Sequence, residues 1–151
     1  MKKEIKEPGE LVFLRYAFPV IGYCGKGSIT AQEISEFEEM LKEGKVPNKK
    51  RLEELFPEAV KHLKDWTLKG VREYWLGQHN RIVSDNPLCQ VYVAEVQEVF
   101  PHEDNEICRA GISFGLKAKS YVPLRVGDVV SLHGFQVAEK LSEEDIKKYF
   151  K

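Results

Sequence analysis

Cysteine and histidine are the side chains here whose type and placement could do chemistry. The thiols are Cys24, Cys89 and Cys108, and the imidazoles of interest are His79, His102 and His133. A thiolate can bind a soft metal or attack an electrophile. An imidazole ligates metals and carries protons near neutral pH. Cys89 stands just after Pro87-Leu88, at the mouth of an alternating apolar run, and His133 ends Val129-Val130-Ser131-Leu132 just before Gly134. Spacing alone leaves each residue open: Cys89 reads equally as a small buried hydrophobe, and His133 as a satisfied edge residue beside a glycine bend. Cys24 lies in Gly22-Tyr23-Cys24-Gly25. Glycines there could expose the thiol and aim backbone N–H groups at an anion, or simply form a turn around a buried cysteine. With His79 it makes a second candidate site.

Other chemistries lack their patterns. Gly25-Lys26-Gly27-Ser28 is glycine-rich but without phosphate-loop spacing. No Ser-His-Asp order or nucleophile elbow occurs. The three cysteines are odd in number and none is paired at CxxC spacing, so the expected setting is a reducing cytosol. The acidic run Glu33, Glu36, Glu38 and Glu39 reads as an exposed helix face. The formal net charge is −1, which provides no global basic field for nucleic acid. A local face of Lys117, Lys119, Tyr121 and Arg125 is the alternative for single strands. A thiol- or metal-dependent enzyme using Cys24 with His79 or Cys89 is another. No stretch reaches the roughly 18 to 20 apolar residues of a membrane span. A soluble cytoplasmic protein, more a binding protein than an enzyme, is the expectation.

The elements that must position these residues fall into two groups. Leu11 to Ile21 is an apolar run containing Pro19. Thr30 reads as an N-cap, with Glu33 reaching back in a capping box. Ile34, Phe37 and Leu41 then recur at helical spacing until Gly44. Leu52, Leu55, Phe56, Ala59, Val60 and Leu63 predict more helix, broken near Pro57, and Leu68, Val71 and Trp75 predict a third segment ending near Gly77. The polar stretch Ser84-Asp85-Asn86-Pro87-Leu88 is a breaker, which sets residues 1–86 as a mainly helical unit and 87–151 as a second one.

In the second unit the period drops to two. Val91 and Val93 alternate, and the apolar set then shifts to Val96 and Val99, which predicts a β-bulge. Ala118, Ser120 and Val122 read as a half-exposed strand, and Gly127-Asp128 as a turn into another. Ser142 and Asp145 cap a short terminal helix. The fold class expected is α+β: an N-terminal helical unit, then a small OB/SH3-like β-barrel and a short C-terminal helix.

The barrel segment resembles the HypC/HupF hydrogenase-maturation chaperones. Cys89 followed by Val96 and Val99 matches a family opening of the type C-L-A-I-P-x-x-V-x-x-I. Ile112-Ser113-Phe114-Gly115 is similar to the family's D-F-G-like turn. Val126-Gly127-Asp128-Val129-Val130-Ser131-Leu132-His133-Gly134-Phe135 resembles V-G-D-Y-V-L-V-H-x-G-F. The resemblance implies a non-enzymatic chaperone with Cys89 as an iron-handling thiol and His133 as an accessory metal contact. It also implies a protein partner, either a maturation protein or the hydrogenase large-subunit precursor. Near the N-terminus, Arg15-Tyr16-Ala17-Phe18-Pro19 and Gly22-Tyr23-Cys24-Gly25 resemble an uncharacterised family with an R-Y-A-x-P and G-Y-C-G opening.

Overall fold

A computed structural model of the chain describes residues 8–20, 29–82, 90–101, 108–112, 117–134 and 136–149. The described helices are α1 (Gly9–Ala17), α2 (Ala31–Glu43), α3 (Lys49–Leu55), α4 (Pro57–His62), α5 (Leu68–Gly77), α6 (His79–Ile82) and α7 (Glu143–Tyr149), with a tight 3-10 turn at Phe18–Val20. The described strands are β1 (Val91–Pro101), β2 (Cys108–Ile112), β3 (Lys117–Ser120), β4 (Val129–His133) and β5 (Gln136–Lys140). They curl into a barrel in the order β1-β2-β3-β5-β4, with β4 pairing back onto β1. All pairs are antiparallel except β3 with β5.

Most helix limits follow from local chemistry. The Thr30 hydroxyl accepts from the Glu33 N–H at 3.1 Å, as its N-cap position predicts. The Glu33 carboxylate does not close a capping box: Arg51 of α3 takes it with bonds of 2.6 and 2.5 Å. Helix α2 stops at Gly44, whose φ of 73° is open to glycine and costly for side chains with a Cβ. Pro57 sits in the first turn of α4, where its missing N–H costs nothing. Ser142 and Asp145 exchange side-chain-to-backbone bonds of 3.0 and 3.1 Å at the start of α7.

The apolar run near the N-terminus forms α1. Its residues from Leu11 to Ala17 are buried all round, as expected of a helix enclosed on every side. It lies between α5 and strands β4 and β5. The approach is close enough that a Cβ on Gly9 would collide with the Trp66 carbonyl oxygen. One cluster of buried side chains joins Val12, Phe13, Leu14, Phe56 and Trp75 of the helical part to Val91, Ala138 and Leu141 of the barrel. A second cluster, built on Ala94, Val96, Val130, Leu132 and Val137, fills the barrel.

The expected bulge in β1 is present, but at Gln97: Val96 pairs with Ile112 and Glu98 with Gly111, leaving Gln97 unmatched. The earlier change of apolar phase has another cause. Val91 and Val93 face the helices, whereas Ala94 and Val96 face the barrel interior.

Candidate functional site at the seam between helices and barrel

The last turn of α1 leaves carbonyl oxygens without partners inside the helix. Two barrel side chains reach them. His133 Nδ1 contacts the Tyr16 carbonyl oxygen, and Gln136 Nε2 donates to the Arg15 carbonyl at 3.5 Å. His133 and Gln136 are themselves a cross-strand pair of β4 and β5. Because a carbonyl only accepts, Nδ1 of His133 carries a proton.

Beside this contact runs a buried polar network. The Tyr16 hydroxyl donates to Glu139 Oε2 at 2.7 Å and lies 2.8 Å from Ser131 Oγ. A phenol has one proton to give, so Ser131 donates to Tyr16. Arg72 of α5 reaches the other carboxylate oxygen through Nε at 2.8 Å and a terminal nitrogen at 2.7 Å. Its second terminal nitrogen lies 3.7 Å from Asp145 of α7. Burial, then the Glu139 charge, hold the Tyr16 hydroxyl well above its usual pKa. Burial works against the Arg72 charge, but the bond to Glu139 and that carboxylate's charge outweigh it and raise the Arg72 pKa.

A bulge aims Glu139 into this network. Ser131 pairs with Glu139 and Leu132 with Val137, so Ala138 is the extra residue. Val137 faces the barrel interior, while Ala138 packs with the helical core and Glu139 bonds Tyr16 and Arg72. The inserted residue puts two neighbours on one side, a recognised use of bulges.

The third part of the seam is aromatic. Helix α5 begins at Thr67, whose hydroxyl accepts from the Gly70 N–H at 3.1 Å. That start places Val71, Tyr74 and Trp75 inward and Arg72 at the edge. The Trp75 ring stacks on Tyr16 at 5.4 Å and lies 4.5 Å from His79 and 5.2 Å from His133. The two imidazoles meet edge to face at 5.1 Å, and both are buried. His79 Nδ1 is 3.0 Å from the Tyr74 hydroxyl, whose pKa is raised by burial and then by the Glu58 charge. Asn80, next in the chain, clamps the first residue of β1: its amide donates to the Val91 carbonyl at 2.8 Å and accepts from the Val91 N–H at 2.6 Å. Val91 is in turn the pairing partner of His133.

The structure therefore brings together His133 and His79, which the sequence assigns to separate sites. Cys24, Cys89 and His102 lie outside the described residues, and Cys108 is placed only by its backbone, at the start of β2. Among the described residues no three His, Cys, Asp or Glu side chains gather as a metal-binding group. No described helix is long and apolar enough to cross a membrane. On the face considered for nucleic acid, Tyr121 is buried and so does not serve as an exposed stacking ring. The Lys119 ammonium lies over Tyr121 at 5.8 Å, and Lys117 over Phe100 at 5.2 Å.

The sequence reading misses Tyr16, Arg72, Ser131 and Glu139. One signal was available: Arg15 and Tyr16 interrupt an otherwise apolar run, and polar groups in an enclosed helix need partners. No family model, curated protein or solved structure matches the chain.

Proposed function

We propose that this chain is a non-enzymatic accessory protein of the HypC/HupF kind. It docks on a protein partner in the maturation of a nickel–iron hydrogenase or another metallocentre. Its barrel is of the OB kind, a reading supported by five strands in the order β1-β2-β3-β5-β4 with β3 and β5 parallel. Cys89 is the iron-handling thiol and His133 the accompanying imidazole, acting in the cytoplasm.

The observation that carries this reading is the setting of His133. Metal-ligating histidines donate their other ring N–H to a carbonyl or carboxylate, which fixes tautomer and ring orientation. His133 has that arrangement through the Tyr16 carbonyl, and imidazole is a suitable donor for iron. It also pairs across β4 and β1 with Val91, two positions along the chain from Cys89.

The test is metal analysis of anaerobically purified protein, with infrared spectra in the carbon monoxide and cyanide stretching region. Bound iron with diatomic-ligand bands is expected, and both should vanish in Cys89→Ser while its circular dichroism stays unchanged. Metal-free protein without such bands sinks the reading. A Cys89→Ser protein that unfolds identifies the thiol as a core residue.

A further inference from the structure

We propose that the cleft between α5 and α7 binds a small organic carboxylate with an apolar body, held through the outer side of Arg72. The site does not depend on the metal-handling reading above.

The cleft has a volume of about 240 Å³ and is lined by Leu68, Lys69 and Arg72 of α5 and by Asp145, Lys148 and Tyr149 of α7. That is below the roughly 300–1,000 Å³ of sites for drug-sized ligands, so the occupant is small. The lining sets three cationic side chains against one carboxylate. Glu139, buried behind Arg72, offsets a second cation and leaves one positive charge. A carboxylate neutralises that charge, whereas a phosphate monoester at about −1.5 to −2 overshoots it.

Arg72 is already oriented for an anion. Its Nε and one terminal nitrogen bond Glu139 at 2.8 and 2.7 Å, which fixes the guanidinium plane. The other terminal nitrogen lies 3.7 Å from Asp145, beyond hydrogen-bond reach. Its N–H groups are left to donate to an anion entering the cleft.

Lys69 is the second observation. It stands exposed in the first turn of α5, where the helix dipole disfavours a cation and favours an anion. Helix electrostatics do not account for a lysine there, and a bound anion would be favoured by the lysine and the helix terminus together. Asp65, the other carboxylate near Lys69, is taken up by the Thr67 hydroxyl and N–H. Lys148 stands across the cleft, its ammonium 5.2 Å from the Tyr149 ring. Leu68 and Tyr149 are partly buried and offer the apolar part of the ligand a packing surface.

The experiment titrates the full chain with benzoate and follows backbone amide shifts by nuclear magnetic resonance. Benzamide serves as the neutral counterpart and inorganic phosphate as an anion without an apolar body. Saturable benzoate shifts are expected at Leu68, Lys69, Arg72, Lys148 and Tyr149, with β4 unmoved and no response to benzamide. Lys69→Gln and Lys148→Gln should each weaken benzoate about two- to fivefold, and Asp145→Asn, which removes the competing carboxylate, should tighten it by a similar factor. Both lysines are exposed, so their replacement leaves the fold intact. Benzamide binding as tightly as benzoate overturns the proposal by reducing the cleft to an apolar surface. Phosphate binding as tightly as benzoate overturns the ligand class. Benzoate shifts that are absent, or that all three variants leave unchanged, overturn the site itself.

Discussion

The barrel interior and the helix–barrel seam are both buried, yet they are built from different residues. Inside the barrel the cluster is aliphatic, with Ala94, Val96, Leu124, Val130, Leu132 and Val137. On the other side of the same strands lie Ser131, His133, Gln136 and Glu139, all buried. Strand β4 supplies Val130 and Leu132 to one region and Ser131 and His133 to the other. The period of two thus sorts apolar from polar groups without exposing either. The barrel can hold itself by packing, whereas the seam depends on satisfied polar groups. Both buried histidines, His79 and His133, and the buried carboxylate of Glu139 sit in the seam.

The largest test of this contrast is Phe13→Ala. Phe13 is fully buried and meets Phe56, Trp66 and Trp75 edge to face. Its loss should cost about 3–5 kcal/mol. Leu132→Ala, on the barrel side, should cost about 2–5 kcal/mol. Urea unfolding followed by circular dichroism and by tryptophan fluorescence should give coincident transitions for both variants. Fluorescence reports the seam, because Trp66 and Trp75 both pack there. If Phe13→Ala moves the fluorescence transition alone, the two regions unfold separately.

Arg72 and Glu139 sharpen the comparison by making the seam resemble the barrel. Glu139 is 4% exposed and Arg72 24%. Arg72→Met leaves a buried carboxylate with Tyr16 as its remaining partner in the network, and should cost about 3 kcal/mol. Adding Glu139→Leu removes the stranded charge, so the double variant should be more stable than Arg72→Met alone. Equilibrium unfolding of the four-member cycle measures this. Simple additivity would mean that the pair is not coupled.

These two regions were unequally legible in the sequence. Thr30, Gly44, Pro57, Gly127-Asp128 and Ser142 mark limits through contacts within a few residues, and those limits hold in the structure. Helix α1 was not legible as a helix, because enclosure on all sides removes the polar face from which a period is read. The bulge at Ala138 depends on pairing between β4 and β5, and residue types alone do not specify it. Tyr16 and Glu139 are 123 positions apart, so no local pattern announces their bond. The meeting of His79 with His133 was hidden for the same reason.

Tyr16 gives the seam a pH dependence that the barrel interior lacks among its described residues. Its folded pKa lies well above the usual tyrosine value, from burial first and the Glu139 charge next. The unfolded chain titrates near the ordinary value of about 10. Above that pH the unfolded state loses a proton that the folded state keeps. The stability is therefore fully present below about pH 10 and falls as pH rises further. Tyr74, also raised by burial, adds to the same fall. Tyr16→Phe should lose about 1.5–3 kcal/mol near neutrality, the usual value of a hydrogen bond to a charged group. It should also make the decline shallower, by about half a proton at pH 10 and by nearly one proton above about pH 11. An unchanged slope would mean that Tyr16 ionises equally in both states.

The smallest effect belongs to α7, which packs on the seam through Ile146 and Tyr149 without a fully buried residue. Ser142→Ala removes the hydroxyl that accepts from the Asp145 N–H and should cost about 0.5–2 kcal/mol, toward the low end because the cap is exposed. Asp145 also faces Arg72, so loosening the first turn of α7 weakens an outer contact of the polar network. Amide hydrogen exchange should accelerate in α7 and at Arg72 while β4 keeps its protection. Faster exchange at Val130 and Leu132 as well would show that the seam and the barrel interior share one opening reaction, and that their difference in composition does not divide them in stability.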